Sequence, residues 1–251
     1  MRRHSGWIWL LFSCVLGLTL LLDVPATWVA QRLARQPGVK LLLTNAEGVW
    51  WDGSADIFLL SAQQTLGRIP GRVHWHVGLS PRGLHWMVED SDTAFMPQPL
   101  HGRLGWSVLQ LQTGQLNFPA ALLLGLGAPF NTLQLGGALQ LQWNDLEWSF
   151  TERSARQLTT VTLQANNLSS RLTPIKPLGS YILRLSLGPL GGRLDLETGA
   201  GPLQLQGQGS LGRGRWGFDG TATASDAQLP QLLGLLSILG RRDGLVTHLH
   251  Y

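Results

Sequence analysis

Cysteine is nearly absent from this chain: one residue in 251, Cys14. It lies inside an apolar run, where it reads as a small lipid-facing residue. The remainder therefore carries no disulfide and no thiolate metal site. Charge is scarce as well, at 14% of residues, with a net +4 carried mostly by scattered arginines. No basic stripe and no RNA-binding aromatic motif is present, which argues against a nucleic-acid partner. Catalytic signatures are missing too. There is no G-x-x-x-x-G-K-[ST] phosphate loop, no G-x-S-x-G elbow and no H-E-x-x-H zinc motif. The nearest approach to metal chemistry is two pairs, His74-x-His76 and His248-x-His250. Each would put two imidazoles on one face of a strand. A catalytic zinc takes three protein ligands and no acidic partner is evident, so both pairs read as solvated or interface positions and no metal or cofactor is assigned.

What the chain has instead is glycine, 31 residues, and tryptophan, 11 residues, within a composition that is 44% hydrophobic. Short alternating runs separated by Gly, Pro and Asn point to an all-β fold with many turns. At the N-terminus, Met1-Arg2-Arg3-His4 leads into an apolar run over 6–22, broken by Asp23 and Pro25. The run is near the lower end of the ~17–25 residues that span a bilayer. Trp7 and Trp9 suit one aromatic belt, Trp28 the other, and Arg2 and Arg3 favour a cytoplasmic start. Cleavage after Ala26, as in a signal peptide, is the rival reading. The run exceeds the usual ~7–15-residue apolar core of such peptides, which favours an uncleaved anchor. The expected organisation is a tail over 1–6, an anchor over 7–24 and a β-rich domain over 25–251. Two similar halves, about 40–150 and 158–240, are suggested by recurring Leu-Gln alternation.

Beyond the anchor, a short helix is expected from Pro25 to about Arg35. The segment 72–79 alternates: Val73, Trp75, Val77 and Leu79 on one face, His74 and His76 on the other. After a turn at Ser80-Pro81-Arg82-Gly83, Leu84, Trp86 and Val88 continue the apolar face. Trp106, Val108 and Leu111 suggest another strand, with a bulge near Leu109. Residues 118–124 lack alternation and read as a capping helix. Leu139, Leu141 and Trp143 alternate with Gln140 and Gln142, and Leu146, Trp148 and Phe150 follow a turn at Asn144-Asp145. Five more strands are expected between 158 and 224, the last sharing Trp216, Phe218, Gly220 and Ala222 on one face. Asp226 can cap a closing helix over 228–239, ended by Gly240, with Arg241 and Arg242 at the negative end of its dipole. The fold class is thus a curved antiparallel sheet with two short capping helices behind a transmembrane segment.

Four blocks carry a family resemblance. Gly48-Val49-Trp50-Trp51-Asp52-Gly53-Ser54-Ala55 resembles a "G-x-W-x-G-x-A" box. The stretch with Pro119-Ala120, then Pro129-Phe130-Asn131-Thr132-Leu133 and Gly136, resembles a "PA…L…G-x-P-x-N-T-L…G" block. Leu178-Gly179-Ser180-Tyr181 resembles "L-G-S-Y". Gly201-Pro202-Leu203 through Gly207 and Gly209 to Phe218, Gly220 and Ala222 resembles "G-P-L-x-L-x-G-x-G…F-x-G-x-A". In this order, over essentially the whole chain, they resemble type II secretion system protein N. The resemblance implies a single-pass inner-membrane protein of a Gram-negative cell, its N-terminus cytoplasmic and its bulk periplasmic. Its implied partners are other inner-membrane components of the secretion machine. It implies no catalytic residue and no cofactor.

The residues themselves add two expectations. The Asp52-Gly53 pair reads as a turn rather than a catalytic acid. Trp50 and Trp51, if extended, point to opposite faces, so one can anchor a partner while the other enters the core. A component acting through sheet edges or apolar patches is the leading reading. The alternative is a lipid- or apolar-ligand-binding β-groove, with Val73, Trp75, Leu84 and Trp86 on its concave face.

Overall fold

The computed structural model describes residues 23–34, 41–60, 66–126, 130–212, 215–225 and 227–250. The apolar run over 6–22 and Asp226 lie outside them. Among the described residues no helix is long and apolar enough to cross a membrane.

The described chain is two antiparallel sheets of nine strands each. The first holds β1 (Leu41–Val49), β2 (Asp52–Leu60), β3 (Leu66–Arg68), β4 (Val73–Ser80), β5 (Gly83–Asp90), β6 (Leu100–Leu104) and β7 (Val108–Leu111). The second takes β8 (Gly114–Pro119) and β9 (Leu135–Trp143). The chain then returns to the first sheet for β10 (Leu146–Ser149) and β11 (Ser154–Ala155). Strands β12 (Thr159–Ser170), β13 (Gly179–Gly188), β14 (Gly191–Ala200), β15 (Leu203–Gly212), β16 (Arg215–Ala224), β17 (Arg241–Asp243) and β18 (Val246–His250) complete the second. The division between sheets therefore does not fall at the 150–158 connection. Three short α-helices accompany them: α1 (Ala26–Ala34), α2 (Phe130–Leu133) and α3 (Leu229–Leu239). A 3₁₀ helix spans Ala120–Leu126.

A single bent ladder joins the sheets. Val108 pairs with Ser149 and Leu111 with Leu146 in the first, while Gly114 pairs with Trp143 and Pro119 with Ala138 in the second. The register is the same on both sides, so β7–β8 and β10–β9 are one hairpin kinked at 112–113 and 144–145. Strands that switch sheets at a bend are how packed sheets turn corners. Here the corner is pinned by side chains. Asp145 Oδ1 accepts from the Thr113 amide at 2.7 Å and its hydroxyl at 3.0 Å, and Trp143 Nε1 donates to Gln112 O at 2.8 Å. The period slip read near Leu109 is not a bulge. Trp106 sits in the β6–β7 turn, and Leu109 and Leu111 carry the apolar face instead.

Alternation sorts each sheet into two faces. In the second, Gln115, Gln142, Thr162, Arg184, Asp195, Gln208, Asp219 and His250 lie in one register row across eight strands, all polar. The next row on the other face reads Leu116, Leu141, Leu163, Leu183, Leu196, Gly207, Gly220 and Leu249. In the first sheet Leu79, Leu84, Leu104, Leu109 and Trp148 share one row, while Gly78, His85, Arg103, Gln110 and Glu147 share another on the opposite side. The apolar faces meet at the corner, where Ile69, Phe95 and Met96 pack with Val88 and Leu100 from one sheet and Leu116 and Phe118 from the other.

The abundant glycines and aromatics are paired across strands. Gly53 lies opposite Trp75, Gly102 opposite Trp86, and Gly114 opposite Trp143. A Cβ on Gly53 would meet the Trp75 ring at 2.7 Å, and one on Gly114 the Trp143 ring at 2.5 Å. Each indole lies over the bare backbone of its neighbour, the aromatic covering of strand glycines that pins register. These rings occupy the face on which the sequence suggested an open groove for Trp75 and Trp86.

Among the described residues, the outer strands β1, β8, β11 and β17 are each short, charged or partly covered. Helix α1 lies along β1. The Asn117 amide of β8 donates to Phe95 O at 2.8 Å. Strand β11 has two residues and β17 has three exposed charged ones. Short, covered or charged edges resist strand addition.

Candidate functional site

Three of the four motif blocks converge on one place. In the L-G-S-Y block, Leu178 O accepts from Leu203 N at 3.0 Å, and the Tyr181 hydroxyl donates to Leu203 O at 3.0 Å. The block with Gly201-Pro202-Leu203 is thereby locked to it. Gly201 has φ +125°, and a Cβ there would collide with the Gly179 Cα; glycine is required for the two backbones to approach so closely. Burial pushes the Tyr181 hydroxyl well above the usual tyrosine range, keeping it protonated as a donor. Leu133 of the N-T-L block joins the same cluster, and Ser170 Oγ holds its carbonyl at 2.5 Å. Thr132 is exposed, the Asn131 side chain is not described, and Pro129 lies outside the described residues.

These residues border an apolar cavity of about 220 Å³ on the inner face of the second sheet. Its floor is Leu139, Leu163, Ala165, Tyr181, Leu183, Leu196 and Leu205. Its roof is Leu123, Phe130 and Leu133, with Leu235 and Leu239 of α3. Helix α3 is seated there because Leu232, Leu235 and Leu236 bury fully against Leu203, Ala222 and Leu249. Its N-cap position is Gln228, which makes no side-chain cap bond, and Arg241 and Arg242 belong to β17 rather than to its last turn. No polar atom faces the cavity, since the one hydroxyl of its wall is spent on Leu203. Sequence reading found α3 and the strands but not the cavity, which exists only once five strands and three helical segments enclose it.

Leu135 is shared between this cavity and a second hollow of about 430 Å³ lined by Gln134, Ser169, Ser170, Arg171 and Lys176. A larger depression of about 690 Å³ on the polar face holds Asp195, Glu197, Asp219, His248 and His250. Its acids are engaged: Arg193 with Asp195 at 3.2 Å, Arg184 with Glu197, and His250 with Asp219. The rings of His248 and His250 stack at 6.3 Å. Among the described residues no group of three or more His, Cys, Asp or Glu could hold a metal ion. The His248 and His250 side chains on that face are exposed.

The first motif block is placed elsewhere and differs from expectation. Trp50 and Trp51 are themselves the two turn residues between β1 and β2, and Asp52-Gly53 begin β2. Gly48, at φ +84° before the turn, supplies the bend. Neither indole occupies a strand position pointing up or down; both are half-buried. Trp50 N donates to Val24 O at 3.0 Å and Val77 N to Trp51 O at 2.6 Å, so the turn docks the chain's entry segment onto β4. Trp51 meets His76 edge-on at 6.1 Å. Ala55 is fully buried beside Val73. Asp52 is exposed, 4.0 Å from His76. Of the remaining motif residues, Pro119 ends β8 and Ala120 is fully buried at the start of the 3₁₀ helix. Gly207, Gly209 and Gly220 surround the Phe218 ring.

One surface was not legible beforehand. Leu79, Trp106, Leu158 and Leu190 are 78% or more exposed, and Phe150 nearly half so. All lie at turns or strand ends on one end of the molecule. Phe150 N bonds Ser107 O at 2.9 Å, and Leu79, Leu84 and Leu104 share a register row. The turn carrying Glu152 and Arg153 adjoins that of Pro189 and Leu190. The chain enters here as well, since Trp51 bonds Val77 two residues from Leu79.

The described chain is a two-sheet β domain with a helix-roofed apolar cavity and exposed apolar side chains at its turns. The family model of type II secretion system protein N matches residues 39–246, and the chain belongs to that family. No curated protein and no solved structure gives a significant match.

Proposed function

We propose that this type II secretion component is a non-catalytic inner-membrane protein. It is held by its N-terminal apolar run with its β domain in the periplasm, and acts by contacting other inner-membrane components of the machine. The observation that carries this reading is the apolar end formed by Leu79, Trp106, Phe150, Leu158 and Leu190. Exposed apolar side chains gathered at neighbouring turns suit a partner, and Trp is enriched at binding hot spots. Short, charged or partly covered outer strands favour this end over the sheet edges as a contact surface. Trp50 and Trp51 flank it, and Trp106 replaces them as the leading anchor. A photo-crosslinking residue at 106 or 190 in intact membranes should capture a secretion-machine component. The double variant W106S/L190S, at two almost wholly exposed positions, should keep its thermal midpoint yet lose export of folded proteins. Unchanged export in that variant, together with capture of nothing but lipid, would refute the reading.

A further inference from the structure

We infer that the apolar cavity and the basic hollow beside it form one binding site for a single-chain anionic amphiphile, with hydrocarbon tail inside and carboxylate or phosphate outside. The inference stands independently of the secretion role. The cavity offers no hydrogen-bond partner, so it rejects sugars, nucleotides and peptides, whose polar groups would be buried unpaired. At about 220 Å³ it exceeds an engineered cavity of ~150 Å³ that accepts benzene, and it suits part of an alkyl chain. Leu135 lines both the cavity and the adjoining hollow. That hollow presents Lys176 and Arg171, with Gln134 and Ser169. Neither Lys176 nor Arg171 stands in an ion pair among the described residues, and both border the hollow. Two unpaired cations at the rim of a hydrocarbon-lined cavity supply both halves of an amphiphile site: burial for the tail and charge-assisted hydrogen bonds for the head.

The test uses the full chain in intact cells fed a fatty acid bearing a mid-chain diazirine, with adducts mapped by peptide mass spectrometry. Adducts are expected in segments 130–139, 163–168 and 229–239. Their mass distinguishes free fatty acid from a fatty chain esterified in phospholipid. Ala165→Phe, which fills the cavity, should abolish these adducts. The surface variant R171E/K176E folds normally because both side chains are exposed. It should lower labelling by the acid about tenfold, the worth of one charge-assisted hydrogen bond. Labelling by the matching fatty alcohol should not change. Adducts confined to residues 6–22, or equal labelling in wild type and both variants, would overturn the proposal. If A165F fails to accumulate, the charge-reversal comparison between acid and alcohol decides alone.

Discussion

Gly201 shows how much one side chain can cost here. Its φ of +125° and its contact with the Gly179 Cα leave no room for a methyl group. Gly201→Ala should therefore lose about 2–4 kcal/mol, backbone strain adding to overpacking. Gly217, also in the second sheet, meets nothing within 4 Å of a built Cβ. Gly217→Ala should gain roughly 0.5–1 kcal/mol by removing chain entropy. Urea denaturation of both checks the contrast. Asp56 offers a pH prediction. The Asn45 amide donates to it at 2.7 Å, and Arg68 and Arg72 lie nearby. Together these hold its carboxyl below the usual carboxylate range against the opposing effect of burial. A depressed folded-state pKa stabilises above the unfolded value, and that stability is lost as pH falls through the folded one. Asp56→Asn should thus lower the thermal midpoint at neutral pH and change it least in strong acid.

At the element scale, helix α3 and the corner are the parts most open to test. Leu236 is 1% exposed in the core that seats α3. Leu236→Ala should cost about 2–5 kcal/mol in equilibrium unfolding. Asp145 acts at the kink of the continuous ladder, where one oxygen serves both donors of Thr113. Asp145→Ala should cost about 1 kcal/mol in the same assay, and Asp145→Asn, which keeps an acceptor oxygen, should recover most of it. Strands were legible because alternation is local: Val73 to Leu79 and Leu139 to Trp143 fall on the faces their spacing indicates. The Trp50-Trp51 turn was not. Tryptophan is a strand former by propensity, and only the partners of its backbone, Val24 and Val77, reveal that it closes the hairpin. Trp106 misled in the same way, since an isolated apolar residue fits a strand period as readily as a protruding turn.

At the scale of the whole molecule, the two sheets divide the work. The first carries the entry turn and most of the apolar end where partners are proposed to bind. The second carries a polar outer face and the helix-roofed cavity. The motif glycines and leucines that give the chain its family likeness are mostly architectural, locking strands to each other around that cavity. Replacing Trp106 and Leu190 should separate function from stability, because both side chains are almost wholly exposed. Replacing cavity residues should change both.

The amino-acid order by itself determined the β class, the polar and apolar faces of most strands, the closing helix and the family. Each depends on a period or a motif contained within a few neighbouring residues. Tertiary structure alone decided that the ladder runs unbroken through a corner and that indoles lie over glycines on adjacent strands. It also brought Leu133, Tyr181, Leu203 and Leu235 around one cavity. Those features depend on which distant segments pair and in what register. Alternation allows many pairings, and packing of the whole chain selects one.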